Sequence, residues 1–521
     1  MHVLKIKISL VFSFLILPVL VFRCSGTDYY RAAVLEHVRF NDLSFSSKEI
    51  IERNLQSYEI AARTAAMNEA DIIVFPEWGL HPHDKQNRSS IYFFVEDIPD
   101  PRYGFYNPCN QTDQFNNYQI LTKLSCIAKE TGMFVIANMV DKKKCKISET
   151  CDANNIESCA ADTTSCPDDG VLFHNANVVF NRDGTLVARY YKQHLYFEAD
   201  MNPVKNNEDI YFETDFGKFT TFVCFDLSFK ESVTAVEKAD VINVAYPTYW
   251  FDHTPFAWAT PFQQSWAITN KVNLLAANVH HPGTGTLGSG IYSPSGALIY
   301  THNPDGLSKI LISNVPKSYD DDVRLTSISL NPKRFIIKNG VAVEVANEES
   351  ADFENVCGIH VLGLPKDPSR DYRCLPSNVT RYLFQKLNGN KGDLELCSGR
   401  ICCSLSYQAD SIDEDYYFGV SGEDFSFYDS FSFGIESCFM ARCESLNGTY
   451  CNNFLVQSHT IFQSVKLRGN FSTKYVYPFS VNSGVRLSTK DEWSFDLKSE
   501  ISYSNLHKNV SLLFFGLYGR R

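Results

Sequence analysis

The sequence predicts an α/β protein in two parts, a layered domain followed by a smaller, cysteine-rich, mainly β domain. Three observations carry that prediction. The chain has 521 residues, more than one hydrophobic core usually supports. Strand-like and helix-like segments alternate from about residue 29 to 312, which implies helices covering a sheet. After about residue 320 short aromatic stretches such as FSFYDSFSFG and KYVYPFSV replace the helical periodicity. The expected division is a signal peptide at 1–26, an α/β domain at 27–318 and a β-rich domain at 319–521.

The elements of the first domain follow in order. Ala32 to His37 reads as a buried strand. Ser46 and Glu49 form a capping box, after which Ile51, Leu55, Tyr58, Ala62 and Ala65 recur at helical spacing. Asp71 to Phe75 is a second buried strand, closed by Pro76. Tyr118 to Thr131 is helical, with Gly132 as its C-cap. Met133 to Val140 is the next strand. VLFHNANVVF and LVARYYK then flank a turn at Asn181–Gly184, as a hairpin requires. Phe219 to Cys224 and Val241 to Ala245 close the series.

The N-terminus has the pattern of a secretory signal: Lys5 and Lys7, an apolar stretch from Ile8 to Phe22, then Ser25 and Gly26. The stretch is short for a membrane span. Six sequons fit export, at Asn87, Asn110, Asn378, Asn447, Asn470 and Asn509. So does cysteine parity. Of 16 cysteines, Cys24 falls in the signal and Cys224 is reserved as a free thiol, leaving an even number for an oxidising compartment. Cys145, Cys151, Cys159 and Cys166 lie in a polar stretch and read as a cross-linked surface loop. A second group comprises Cys357, Cys374, Cys397, Cys402, Cys403, Cys438, Cys443 and Cys451. Neither group has the paired spacing or histidine partners of a zinc site, so no metal is expected. The tail VSLLFFGLY is too short to span a membrane and marginal as a glycolipid-anchor signal; its simplest reading is a last strand. A net charge of −12 disfavours nucleic acid or an anionic membrane as partner.

Three segments carry the chemistry: IVFPEWG around Glu77, RYYKQHLYFE around Lys192 and FTTFVCFDLSF around Cys224. Each puts one reactive side chain at the end of an apolar, strand-like run. Taken singly, a turn glutamate, a solvated lysine and a buried structural cysteine are the ordinary explanations. Taken together they are a general base, a fixed cation and a nucleophile, the set that amide hydrolysis through a thioester requires. Glu198, six residues after Lys192, is placed to orient the lysine or a water. Trp250, Asp252 and His253, in the aromatic stretch YPTYWFDHTPFAW, are candidate substrate contacts, with interdomain packing as the alternative. His280 and His281 precede a Gly-rich turn and read as structural.

FPEWG, YYKQHLYFE and VCFD together resemble the Glu-Lys-Cys motifs of the nitrilase superfamily. Within it, the CFD context, NVAYPTYW, GSGIYSPSG and LCSGRICCSLSY are similar to the vanin and biotinidase branch. The resemblance implies an α-β-β-α sandwich followed by a β-rich domain, with Glu77 as base, Lys192 as oxyanion stabiliser and Cys224 as nucleophile. It also implies no cofactor and a small-molecule amide substrate. That substrate is pantetheine, cleaved to pantothenate and cysteamine, or biocytin in a biotinidase-like alternative. WGLHPHD after Glu77 departs from the vertebrate vanin pattern. A catalytically silent extracellular binding protein and a Cys-His thiol protease are the rivals from other classes.

Overall fold

Strands that are apolar at nearly every position need cover on both faces, and two stacked sheets with outer helices supply it. The computed structural model describes residues 27–82, 88–145, 166–204, 208–253, 255–319, 329–346, 381–427, 431–444, 453–454, 456–496, 499–504 and 510–521. The expected signal peptide, Asn87, Asn378, Asn447, Asn509, Cys151, Cys159, Cys357, Cys374 and Cys451 lie outside these residues. Asn110 and Asn470 are described and exposed.

The first sheet has eight strands, ordered Val341–Val345, Lys333–Lys338, Ser308–Pro316, Tyr29–Glu36, Ile72–Val74, Phe134–Lys144, Val171–Phe180 and Leu186–Tyr191. Tyr29–Glu36, Ile72–Val74 and Phe134–Lys144 run parallel. The six-stranded second sheet is built around the parallel strands Gly217–Thr221, Asn243–Thr248 and Asn273–Asn278. The two-residue period of a strand sorts the layers. Ala33, Leu35, Ile73 and Val135 face the helices Ser47–Met67 and Gln119–Thr131. Ala32, Val34, Ile72 and Ile136 face Phe219, Ala245 and Leu275 of the second sheet. Outside that sheet lie the helices Lys230–Ala239 and Ala259–Asn270. This is the expected α-β-β-α sandwich.

The capping box at Ser46 forms in both directions, Glu49 N–H donating to Ser46 Oγ at 3.3 Å and Ser46 N–H to Glu49 Oε2 at 3.1 Å. Gly132 ends its helix at φ +65°, a conformation glycine adopts without strain. Two strand limits differ from expectation. The strand expected to close at Val140 continues to Lys144, because Val171–Phe180 pairs with it along its full length. The strand expected to reach Cys224 stops at Thr221, and Cys224–Ser228 is a short 3-10 turn. The hairpin Lys333–Lys338/Val341–Val345 also adds to the first sheet beyond residue 318, since Ser308–Pro316 leaves an edge that accepts it.

The C-terminal domain consists of two antiparallel sheets around their own core. Cys403–Cys438 joins one sheet to the other, and Cys397–Cys402 closes a hairpin. Cys145–Cys166 and Cys109–Cys126 brace the first domain. Leu512–Arg520, the tail read as a last strand, lies between Phe431–Glu444 and Val476–Asn482. The domains share one apolar core: Phe514 packs edge-on to Trp258 at 5.4 Å and to Phe256 at 5.2 Å.

Phe514 is fully buried at this junction, so Phe514→Ala is expected to cost about 3–5 kcal/mol. Thermal unfolding followed by calorimetry checks this, and the parent and variant midpoints are expected to differ by several degrees.

Candidate active site

The carboxyl ends of parallel strands leave room above the sheet where side chains from separate strands meet. Glu77 follows the strand Ile72–Val74, Lys192 follows Leu186–Tyr191, and Cys224 lies just past Gly217–Thr221. The fold brings all three together. Glu77 is 1% exposed, Lys192 3%, Cys224 6% and Glu198 7%, so water is largely excluded.

Lys192 is the hub. Its Nζ lies 2.7 Å from Glu77 Oε1 and 2.9 Å from Glu198 Oε2. Asn175 Nδ2 ties the two carboxylates together, donating to Glu77 Oε1 at 2.8 Å and Glu198 Oε1 at 2.7 Å. Tyr249 N–H donates to Glu77 Oε2 at 2.9 Å, and the Trp78 indole donates to Glu198 Oε1 at 2.9 Å. Asn138 holds the turn after Glu77 through Trp78 N–H at 3.1 Å, and its own amide donates to Asn175 Oδ1 at 2.6 Å. Two carboxyl groups thus share one ammonium, and each also accepts from fixed donors of the surrounding fold.

Cys224 sits on a strained elbow with φ +44°, a sparsely allowed conformation for a residue with a Cβ. Asp226 holds the elbow closed. Its Oδ2 accepts from Val223 N–H at 3.0 Å and from the Tyr190 hydroxyl at 2.8 Å. Its Oδ1 accepts from Gln193 N–H at 3.2 Å and His194 N–H at 2.9 Å. One carboxylate therefore joins the cysteine turn to the segment that begins with Lys192. The Cys224 carbonyl accepts from the Tyr246 hydroxyl at 2.7 Å.

Electrostatics follow from burial and this shared cation. Burial pushes the Cys224 thiol well above its ordinary range, and Glu77 adds to the rise; Lys192, the Thr248 hydroxyl and Tyr249 N–H oppose it. Burial also raises the Glu77 carboxyl against the pull of Lys192, with Glu198 adding to the rise. Burial works to lower Lys192, but Glu198, Glu77 and Cys224 more than offset it and hold the ammonium charged.

The other expected contacts are engaged within the protein. The Trp250 indole donates to Ala257 O at 2.8 Å and stacks on Phe262 at 4.8 Å. Asp252 caps the helix Ala259–Asn270 through Ala259 N–H at 2.8 Å and lies 2.7 Å from His302 Nε2. His253 exchanges backbone hydrogen bonds with Ala257. His280 Nδ1 is 2.6 Å from Glu36, and its Nε2 accepts from Gly306 N–H at 3.1 Å. Sequence reasoning missed Asn138, Asn175 and Asp226. Asn175 had a signal, a polar side chain inside the apolar run VLFHNANVVF.

A carbon-nitrogen hydrolase family model matches residues 45–321, and a vanin C-terminal domain model matches residues 372–521. The chain is 33% identical to mouse biotinidase, over 89% of this chain and 88% of that protein. It is 32% identical to human biotinidase over 95% and 89%, and 30% identical to mouse pantetheinase over 96% and 90%.

Two outcomes are expected. Asp226→Asn turns a donor toward backbone N–H groups and is expected to cost about 1–3 kcal/mol, read by chemical unfolding, with slower alkylation of Cys224 by iodoacetamide. In Glu77→Gln the thiol has lost its proton acceptor and must ionise directly. Because its folded-state pKa is raised, its alkylation rate is expected to climb from about pH 7 to about pH 10 without a plateau. Glu77 adds to the rise of the thiol, so the parent is expected to be alkylated more slowly than the variant throughout the neutral range, while amide turnover is lost only in the variant.

Proposed function

The chain belongs to the carbon-nitrogen hydrolase family, and on that premise we propose that it hydrolyses a linear carboxamide through a Cys224 thioester, with pantetheine as its substrate. The observation that carries the reading is the buried cluster of Lys192 with Glu77, Glu198 and Cys224. With the thiol protonated and both carboxylates ionised, the cluster carries one net negative charge. Passing the thiol proton to Glu77 relocates that charge to sulfur without adding another to the buried space, which is the inexpensive route to a thiolate there.

The thiolate attacks the amide carbonyl while Lys192 stabilises the oxyanion. The lysine has three N–H donors, and two are taken by Glu77 and Glu198, which leaves one for the substrate oxygen. Protonated Glu77 gives its proton to the departing amine. The acyl-thioester remains until Glu77 draws a proton from water, and the acid leaves as Cys224 regains its thiol. Glu198 holds the lysine in place and takes no proton in this scheme.

A second reading, biocytin cleaved to biotin and lysine, is favoured by the biotinidase relatives at 32–33% identity. Secretion belongs to the same proposal, supported by the signal-like N-terminus, the sequons and the disulfides. Among the described residues no helix is long and apolar enough to cross a membrane.

The test is amine release from pantetheine and from biocytin by the purified secreted chain, beside Cys224→Ala. Cysteamine from the parent alone is the expected result, and lysine from biocytin would favour the second reading. Lys192→Met is expected to lower kcat at least about 10²-fold through loss of the oxyanion donor. Amine release undiminished in Cys224→Ala would remove the thioester route.

A further inference from the structure

We propose that Phe431, supplied by the C-terminal domain, determines acyl-group specificity by completing an aromatic wall beside Cys224 that holds an extended, uncharged acyl chain. The inference rests on the amide-hydrolase reading above and adds to it a role for the second domain.

The wall begins at the base. Tyr249, whose N–H is bonded to Glu77, has its ring 5.9 Å from that of Phe251. Phe251 meets Tyr196 at 5.3 Å, and Tyr196 meets Phe225 at 4.9 Å. Phe225 follows the nucleophile directly in sequence. Phe431 closes the series, 4.9 Å from Phe225, 5.3 Å from Phe197 and parallel to Tyr196 within 4°. Every ring before Phe431 is within two residues of a group that touches the triad or belongs to it.

Burial separates support from surface. Phe433 and Ile435, at 8% and 3% exposure, pack this C-terminal strand against Phe225 and Phe229. Tyr196, Phe251 and Phe431 are only half-buried, and Phe197 is 48% exposed. Phe197 also stands at φ +53°, a strained conformation one residue before Glu198. Apolar rings left open to water beside a nucleophile are apolar area that a ligand can cover. Among the described residues the half-buried rings of this rim are hydrocarbon apart from the Tyr196 hydroxyl, with the His253 ring 5.7 Å from Phe251, which suits an uncharged chain.

The strand is held in place before any ligand arrives. Arg520 lies over the Phe433 ring at 4.1 Å and donates to Ser228 O at 2.7 Å, in the nucleophile turn. Arg521 N–H donates to Gly434 O at 3.0 Å, and its guanidinium pairs with Asp424. Phe431 therefore presents a preset surface at little ordering cost.

The experiment measures protection of Cys224 from iodoacetamide, so it does not depend on turnover. Pantothenamide and biotinamide are the long uncharged probes and propionamide the short one, with parent, Phe431→Ala and Phe431→Leu compared. For Phe431→Ala the concentration of long probe giving half-protection is expected to rise about tenfold relative to the short one. Phe431→Leu is expected to fall between, and it serves as the reading if the alanine variant does not fold. A long-to-short ratio unchanged in the folded variants overturns the proposal. If the parent releases no amine while protection still shifts, the amide-hydrolase reading fails and the wall stands.

Discussion

One buried ammonium serving two carboxylates and a thiol is the constraint on which this site depends. Lys192 is nearly inaccessible to water, and an isolated ammonium there would shed its proton. Glu77 and Glu198 keep it charged, and it keeps them together. Burial and Glu77 raise the thiol while Lys192 opposes them, so a proton passed to a neighbour inside the cluster is the least costly to lose. The proposed thioester route draws on this same charge balance. The Asn175 amide, bridging both carboxylates, makes the balance geometrically definite.

Around that cluster the architecture supplies position. Each reactive side chain stands at or just past a strand end, where the backbone is still held by sheet hydrogen bonds while the side chain reaches the space above. Asp226 satisfies four donors from two chain segments and so transmits the strand framework to the elbow. The C-terminal domain is continuous with this framework through the core containing Trp258, Phe256 and Phe514. A strand of that domain reaches the nucleophile turn itself.

Much of this was legible in the chain. The capping box at Ser46, the C-cap at Gly132 and the apolar runs before Glu77 and Lys192 are local features, decided by neighbours within a few residues. Cys224 also stood out by local context, and it is the free cysteine among the described residues. Its strand ended sooner than the apolar run suggested, because Phe222 N–H makes the last bond to the neighbouring strand, at Ala245 O, and Val223 N–H turns instead to Asp226 Oδ2. For Trp250 and Asp252 the chain alone left two readings open. Aromatic density near the nucleophile does not distinguish a ligand wall from interdomain packing, and their hydrogen bonds go to Ala257, Ala259 and His302.

The sequence by itself determined the periodicities, the caps and which side chains were chemically able to form a base, a cation and a nucleophile. These are properties of single residues and short windows. The tertiary structure decided that Glu77 and Lys192, 115 residues apart, share one hydrogen bond. It decided that Asn175 joins the carboxylates, and that Phe431 of the second domain stands beside Phe225. The physical reason is desolvation. The energies of these contacts exist only once the sheets have closed and removed the water, and no local pattern in a chain encodes which distant groups will be buried together.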